Sequence, residues 1–170
     1  EELFKPLALW FFIKKEWSPS EGFCAGLIRG AAFALVESLT SLGAVTSDIW
    51  IATMAGRVGT GLLHILTAGL TGWALTASWK DGKLIRIGLV YLLSVLIHGC
   101  WNFFAILFGL KELSIPAYAN LASQSVYILI GLGIVMLIGL FFMNRKLRFE
   151  SLPPQIVPPL PPPLDSIEQS

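Results

Sequence analysis

Four apolar runs, residues 22–42, 58–77, 85–110 and 116–142, decide what this chain can fold into. A helix needs about 20 mostly apolar residues to cross the hydrocarbon of a bilayer. Inside that hydrocarbon each backbone N–H and C=O must be satisfied without water, which leaves helices as the solution for runs of this kind. The expectation is an all-α, polytopic transmembrane bundle with four full spans. Residues 3–13 form a shorter fifth run, read as the end of a helix that begins upstream. With Glu1 in place of a methionine and no signal-peptide pattern, the chain is expected to be a fragment lacking upstream spans.

Composition narrows the partners. Only 14% of the 170 residues are charged, against about a quarter in a soluble domain, and mean hydropathy is +0.72. A net charge of +1 gives no long-range field for nucleic acid, so the bilayer is the expected surroundings and nucleic acid is not a partner. Cys24 and Cys100 both lie in apolar runs and are expected to be buried, inert thiols rather than a disulfide.

Basic residues orient the spans, because Lys and Arg accumulate on the cytoplasmic side. Lys14 and Lys15, then Lys80, Lys83 and Arg86, then Arg145, Lys146 and Arg148 form three clusters. They alternate with segments that hold only Arg57 or Lys111, around regions 43–56 and 111–115. This places the clusters in the cytoplasm and the two intervening regions outside, in a plasma-membrane protein. Residues 1–148 are then the membrane domain. Residues 149–170 carry seven prolines between 153 and 163 and are expected to form a disordered cytoplasmic tail.

Ionisable groups within a bilayer are costly and face a protein interior or a cavity. Glu37, His64 and His98 lie within spans, with Asn102, Asn120 and Gln124. Their heights agree. At a rise of roughly 1.5 Å per residue, Glu37 stands roughly 24 Å above Glu21, His64 roughly 21 Å above Ser78, and His98 roughly 18 Å above Arg86. If residues 3–13 descend to Lys15, Glu1 and Glu2 lie at roughly 20 Å as well. A shared level on separate segments predicts one site, somewhat nearer the outer face. His98 and Asn102, spaced i and i+4, share a helix face. Pro6 cannot donate to the carbonyl of Glu2, so a kink is expected beside the two glutamates. Adjacent carboxylates in a poorly solvated site repel, which suits one of them to general acid–base work.

Four segments carry a family resemblance. Glu1-Glu2-Leu3-Phe4-Lys5 resembles the EExxK motif of the PrsW family of intramembrane proteases, which is related to the CAAX-type prenyl endopeptidases. Phe33-Ala34-Leu35-Val36-Glu37 is similar to that family's second acidic motif, although Ser38 stands where the family often has asparagine. Arg57 followed after six residues by His64 resembles its R-x6-H element, and His98-Gly99-Cys100-Trp101-Asn102 its HxxxN element. The motifs occur in family order across residues 1–102.

The resemblance implies endoproteolysis of a single-pass membrane protein, with anti-sigma factors the known substrate type. Two chemistries stay open. In a glutamate mechanism, Glu1 or Glu2 activates water through His64, while His98 and Asn102 stabilise the oxyanion; this needs no cofactor and is favoured here. In a zinc mechanism, His64, His98 and Glu37 are the ligands and a glutamate of the first motif is the base. Arg57, near the outer mouth of its helix, can attract acidic substrate segments or snorkel to the interface. Asn120 and Gln124 can either border the cavity and hold substrate backbone or bond to neighbouring helices. A transporter or channel with an intramembrane Glu/His proton or ion site is the alternative from a different functional class.

Overall fold

The computed structural model describes residues 4–42, 50–112 and 119–150. Among these residues the elements are α1 (Phe4–Phe12), α2 (Pro19–Leu42), α3 (Trp50–Asp81), α4 (Ile85–Glu112) and α5 (Ala119–Glu150). Four of them, α2 to α5, are long and apolar enough to cross a membrane. The protein is a multi-pass membrane bundle. Glu1 and Glu2, the start of the last run at Pro116 and the proline-rich residues 151–170 lie outside the described residues.

A capping box opens α2. Ser18 Oγ accepts from the Glu21 amide at 3.2 Å, Glu21 Oε2 accepts from the Ser18 amide at 2.7 Å, and Pro19 sits where a missing N–H removes nothing. The α3–α4 connection closes on Gly82, whose φ of +73° suits a residue without a Cβ. Its amide donates to Ser78 O at 2.9 Å, Ser78 Oγ donates to Lys83 O at 3.0 Å, and the Lys83 amide donates to Asp81 Oδ1 at 3.2 Å. Pro6 lies near the start of α1 as described, and the kink expected beside Glu1 and Glu2 falls outside the described residues.

Helix α3 is the axis of the bundle. It touches all four other helices, and its contact with α2 is the most extensive in the molecule. Leu63 and Leu66 of α3, Trp101 of α4 and Met136 of α5 form the main core. Leu9 and Ile13 dock α1 against Leu75, with Trp10 edge-on to Trp79 at 5.9 Å. Buried hydroxyls bond back along their own helix, as an apolar medium demands: Thr71 to Thr67 O at 2.8 Å, Thr76 to Gly72 O at 3.0 Å and Ser125 to Ala122 O at 2.6 Å.

Two expectations need correction. Helix α3 begins at Trp50 and ends at Asp81, overrunning the apolar run at both ends, because helical hydrogen bonding continues past the first charged residue. Residues 50–56, expected outside as part of a connection, are its first turns. Cys24 and Cys100 are free thiols exposed on the outer surface, not buried. In a membrane protein an apolar residue faces lipid as readily as core, so an apolar surrounding sequence does not imply burial.

Candidate active site

The site follows from how α2 meets α3. Along α2, Gly22, Gly26, Gly30 and Ala34 recur every fourth residue and share one face. They meet Gly72, Ala68, His64 and Gly61 in turn, each step up α2 matched by a step back along α3. The backbones approach so closely that a Cβ on Gly26 would lie 2.1 Å from Ala68 O, and one on Gly30 2.4 Å from His64 O. This small-residue ladder fixes an antiparallel register. One turn beyond Ala34 that register delivers Glu37 to Arg57 and His64.

The resulting contacts are short. His64 Nε2 lies 2.7 Å from Glu37 Oε2. Arg57 Nη1 donates to Glu37 Oε1 at 3.1 Å, and Arg57 Nη2 lies 2.8 Å from Oε2. Arg57 Nε donates to Ser38 Oγ at 3.3 Å, so the serine that departs from the family pattern accepts a bond from the arginine beside it. Thr40 and Ser41 both donate to Glu37 O at 2.8 Å and tie down the final turn of α2. His64 is fully buried, whereas the side chain of Glu37 keeps 33% of its surface exposed. From α4, the buried ring of His98 meets that of His64 edge-on, 5.4 Å between centroids. Phe33, one turn before Glu37, covers His64 with centroids 4.9 Å apart.

Glu37, His64, His98 and Arg57 therefore come together from three helices. Arg57 was read as an interfacial cation; the structure turns it inward onto Glu37, since a carboxylate in hydrocarbon is stabilised by an opposite charge at contact. Asn102 is exposed on α4, one turn past His98, and makes no hydrogen bond to the cluster. Asn120 and Gln124 are exposed near the start of α5. They do not line the apolar cavity of about 470 Å³ that Gly59, Leu62, Trp101, Val126 and Ile130 help to form between α3, α4 and α5. Glu1 and Glu2 lie outside the described residues.

A family model described as PrsW family intramembrane metalloprotease matches residues 1–141. The chain belongs to the PrsW family. No curated protein and no solved structure matches it. Membership makes it an intramembrane protease and gives the polar cluster a hydrolytic context.

The family description implies a metal, and the cluster can be tested for one. A metal ligand needs a free lone pair pointing at the ion. Here His64 Nε2 is turned onto Glu37, and both Glu37 oxygens already face the Arg57 guanidinium. A divalent ion on that carboxylate would sit against a fixed positive charge. Among the described residues no three His, Cys, Asp or Glu are arranged to hold an ion, and His64 and Glu37 as they stand are turned to one another and to Arg57 rather than to a metal; Glu1 and Glu2 lie outside the described residues.

Sequence reasoning missed what aims His98. Trp101, three residues on, donates from Nε1 to Thr60 Oγ1 at 3.0 Å, and the edge of its ring occupies the space a Cβ on Gly59 would need. Thr60 lies between Arg57 and His64 on the same face of α3, so its spacing from both was a usable signal. Arg29, partly buried halfway along α2, is a further intramembrane cation that the sequence reading passed over.

Proposed function

We propose that the chain is an intramembrane endopeptidase of the glutamate type. It cuts a single-pass membrane protein of the anti-sigma-factor kind in the bacterial inner membrane, with the basic ends of its helices and residues 149–170 in the cytoplasm. One observation carries this reading: the 2.7 Å contact between His64 and Glu37, made within a membrane span and backed by Arg57 and His98. A carboxylate held by a guanidinium is an acceptor, so His64 donates from Nε2 and presents Nδ1 as the basic nitrogen. Glu37 and Arg57 are positioning residues in this scheme. Water adds its oxygen to the scissile carbonyl carbon while its proton passes to a carboxylate of Glu1 or Glu2, with His64 as relay. His98, with Asn102 one turn away on the same helix, donates to the oxyanion. Collapse breaks the C–N bond, and the departing amine takes the proton. Preorganised donors of this kind contribute about 3–4 kcal/mol to the transition state.

The test is cleavage of a single-pass substrate by the purified protein in liposomes, with fragment sequencing. Glu1→Gln, Glu2→Gln, His64→Ala and His98→Ala are each expected to lose at least about 100-fold in rate while remaining folded, and Cys24→Ala and Cys100→Ala to lose nothing. An active His64→Ala protein overturns the relay. Full activity after dialysis against a strong zinc chelator is expected. Loss that zinc alone restores would put a metal in the mechanism and sink the glutamate assignment.

A further inference from the structure

A hydroxyl buried in an apolar medium needs a partner, and among the described residues one has none. Thr67, Thr71, Thr76, Ser78, Ser94 and Ser125 are all buried. Thr71, Thr76 and Ser125 donate to carbonyls of their own helix, Thr67 reaches His64 O at 3.5 Å, and Ser78 donates to Lys83 O. Ser94 Oγ, on α4 and in a residue only 1% exposed, has no hydrogen-bond partner. It forgoes even the carbonyls of Val90 and Tyr91, the usual acceptors for a serine within a helix. A buried hydroxyl in that state is unfavourable, and an ordered water is what satisfies such groups.

The register of α3 against α4 says what Ser94 faces. Thr60 accepts from Trp101 Nε1 at 3.0 Å; four residues on along α3 and three back along α4, His64 meets His98. The two helices are therefore antiparallel, and the next step of three and four residues brings Thr67 opposite Ser94. Thr67 is seven residues from Thr60, and Ser94 seven from Trp101, so both stay on the faces that the tryptophan bond brings together. Thr67 is fully buried, and its bond to His64 O is at the outer limit of length, so its oxygen can accept a hydrogen bond as well. One turn away the same seam admits two imidazole rings; here the opposed side chains are two short hydroxyl-bearing ones, and the space between them suits a small polar ligand.

We propose that Ser94 and Thr67 hold a water molecule between α3 and α4, one turn from the histidine pair, and that the hydrolytic water is drawn from this store. Ser94 donates to the water oxygen, and the water donates to Thr67 Oγ1, whose own proton stays on His64 O. Hydrolysis consumes one water per peptide bond, and His64 and His98 stand within spans, where bulk water is scarce. A water held beside them shortens its path to the scissile carbonyl. The water site stands on packing alone; its supply role rests on the proteolytic reading.

The experiment combines water-edited solid-state NMR of the protein in liposomes, thermal unfolding in detergent, and cleavage of a single-pass substrate. Magnetisation from water is expected to reach the Cβ of Ser94 and Thr67 but not that of Thr76, whose hydroxyl is satisfied on its own helix; no transfer to Ser94 overturns the proposal. Ser94→Ala should lower Tm by about 2–4 °C, since the water loses a partner, and lower kcat about 5–10-fold with KM unchanged, since neither residue touches substrate. A rise in Tm would mean a dry hydroxyl whose removal is a relief, and that overturns the water site. Ser94→Thr and Ser94→Val add the same bulk and differ by the hydroxyl, so kcat should be higher in the threonine variant by the same factor. Equal kcat in the two overturns the supply role. Wild-type protein that cuts nothing while water reaches Ser94 would fault the proteolytic reading and leave the water site standing.

Discussion

Gly30→Ala tests whether backbone contact between α2 and α3 sets the active geometry. A Cβ at residue 30 would lie 2.4 Å from His64 O and 2.8 Å from Ile65 Cα, both backbone atoms that no rotamer change can move. Ordinary contact begins near 3.4 Å, so the helices must part by about 1 Å at this level. Glu37 rides on the same helix two turns further on, and a similar displacement would stretch its 2.7 Å contact with His64 beyond hydrogen-bonding range. Overpacking costs about 1–3 kcal/mol, and replacing glycine with alanine in a helix returns about 1 kcal/mol. Net destabilisation is then about 0–2 kcal/mol, a Tm shift of a few degrees. Misplacing a catalytic group by about 1 Å lowers the rate about 100-fold. The expected signature is a large fall in kcat/KM with a small fall in Tm, from cleavage in liposomes and unfolding in detergent. Gly72→Ala should resemble it in Tm but keep more activity, because its clash with Gly22 O is remote from His64. Gly88→Ala and Gly131→Ala have nothing within 4 Å and should be silent. A Gly30→Ala protein with wild-type kcat/KM would refute the positioning argument.

Arg57→Ala removes the counter-ion of Glu37 and should destabilise the bundle by about 1.5–3 kcal/mol in thermal unfolding; an unchanged Tm would show that water neutralises the carboxylate instead. Thr60→Val and Trp101→Phe each delete one end of the same hydrogen bond, so each should lose about 0.5–1.5 kcal/mol and the double variant little more than either. Fully additive losses would mean that the bond does not hold α4 in place. Cleavage is expected within or just outside the outer end of the substrate's span, because Glu37 stands roughly 24 Å above Glu21 in a core roughly 30 Å thick. Product masses locating the cut near the cytoplasmic end would contradict that height or the orientation behind it.

The spans were legible because hydrocarbon tolerates one kind of backbone, and apolar length reports it almost directly. Helix ends were less so: α3 runs on through Arg57 and Lys80, since charge ends an apolar run without ending a helix. Depth along each span was enough to bring Glu37, His64 and His98 to one level. It could not say which faces meet, and this is why Arg57 was read as interfacial and why the burial of Cys24 and Cys100 was misjudged. The missing information was rotational. Part of it was present in the spacing of Gly22, Gly26, Gly30 and Ala34, a pattern that names the face of α2 turned toward a neighbour. The Trp101–Thr60 bond left a fainter trace, because a single tryptophan beside a histidine does not disclose its partner.

The two kinds of information, depth and rotation, explain how this chain keeps a charged cluster in a bilayer. A carboxylate and a guanidinium within a span would each oppose insertion, by up to about 2.5–3.5 kcal/mol at its centre, if exposed singly to lipid. Pairing is effective only if the groups meet at the same height and on facing surfaces, and flexible contact between large side chains would leave both loosely set. The glycine ladder replaces such contact with backbone against backbone, where the separation has little freedom, and carries the register up to the turn that holds Glu37. Trp101 lying on Gly59 does the same for α4 and brings His98 to His64. Residues with no chemistry of their own thus decide whether the ionisable ones neutralise one another or face the hydrocarbon unpaired. Substitutions at Gly26, Gly30 and Gly59 should consequently affect catalysis more than their distance from the reacting groups suggests.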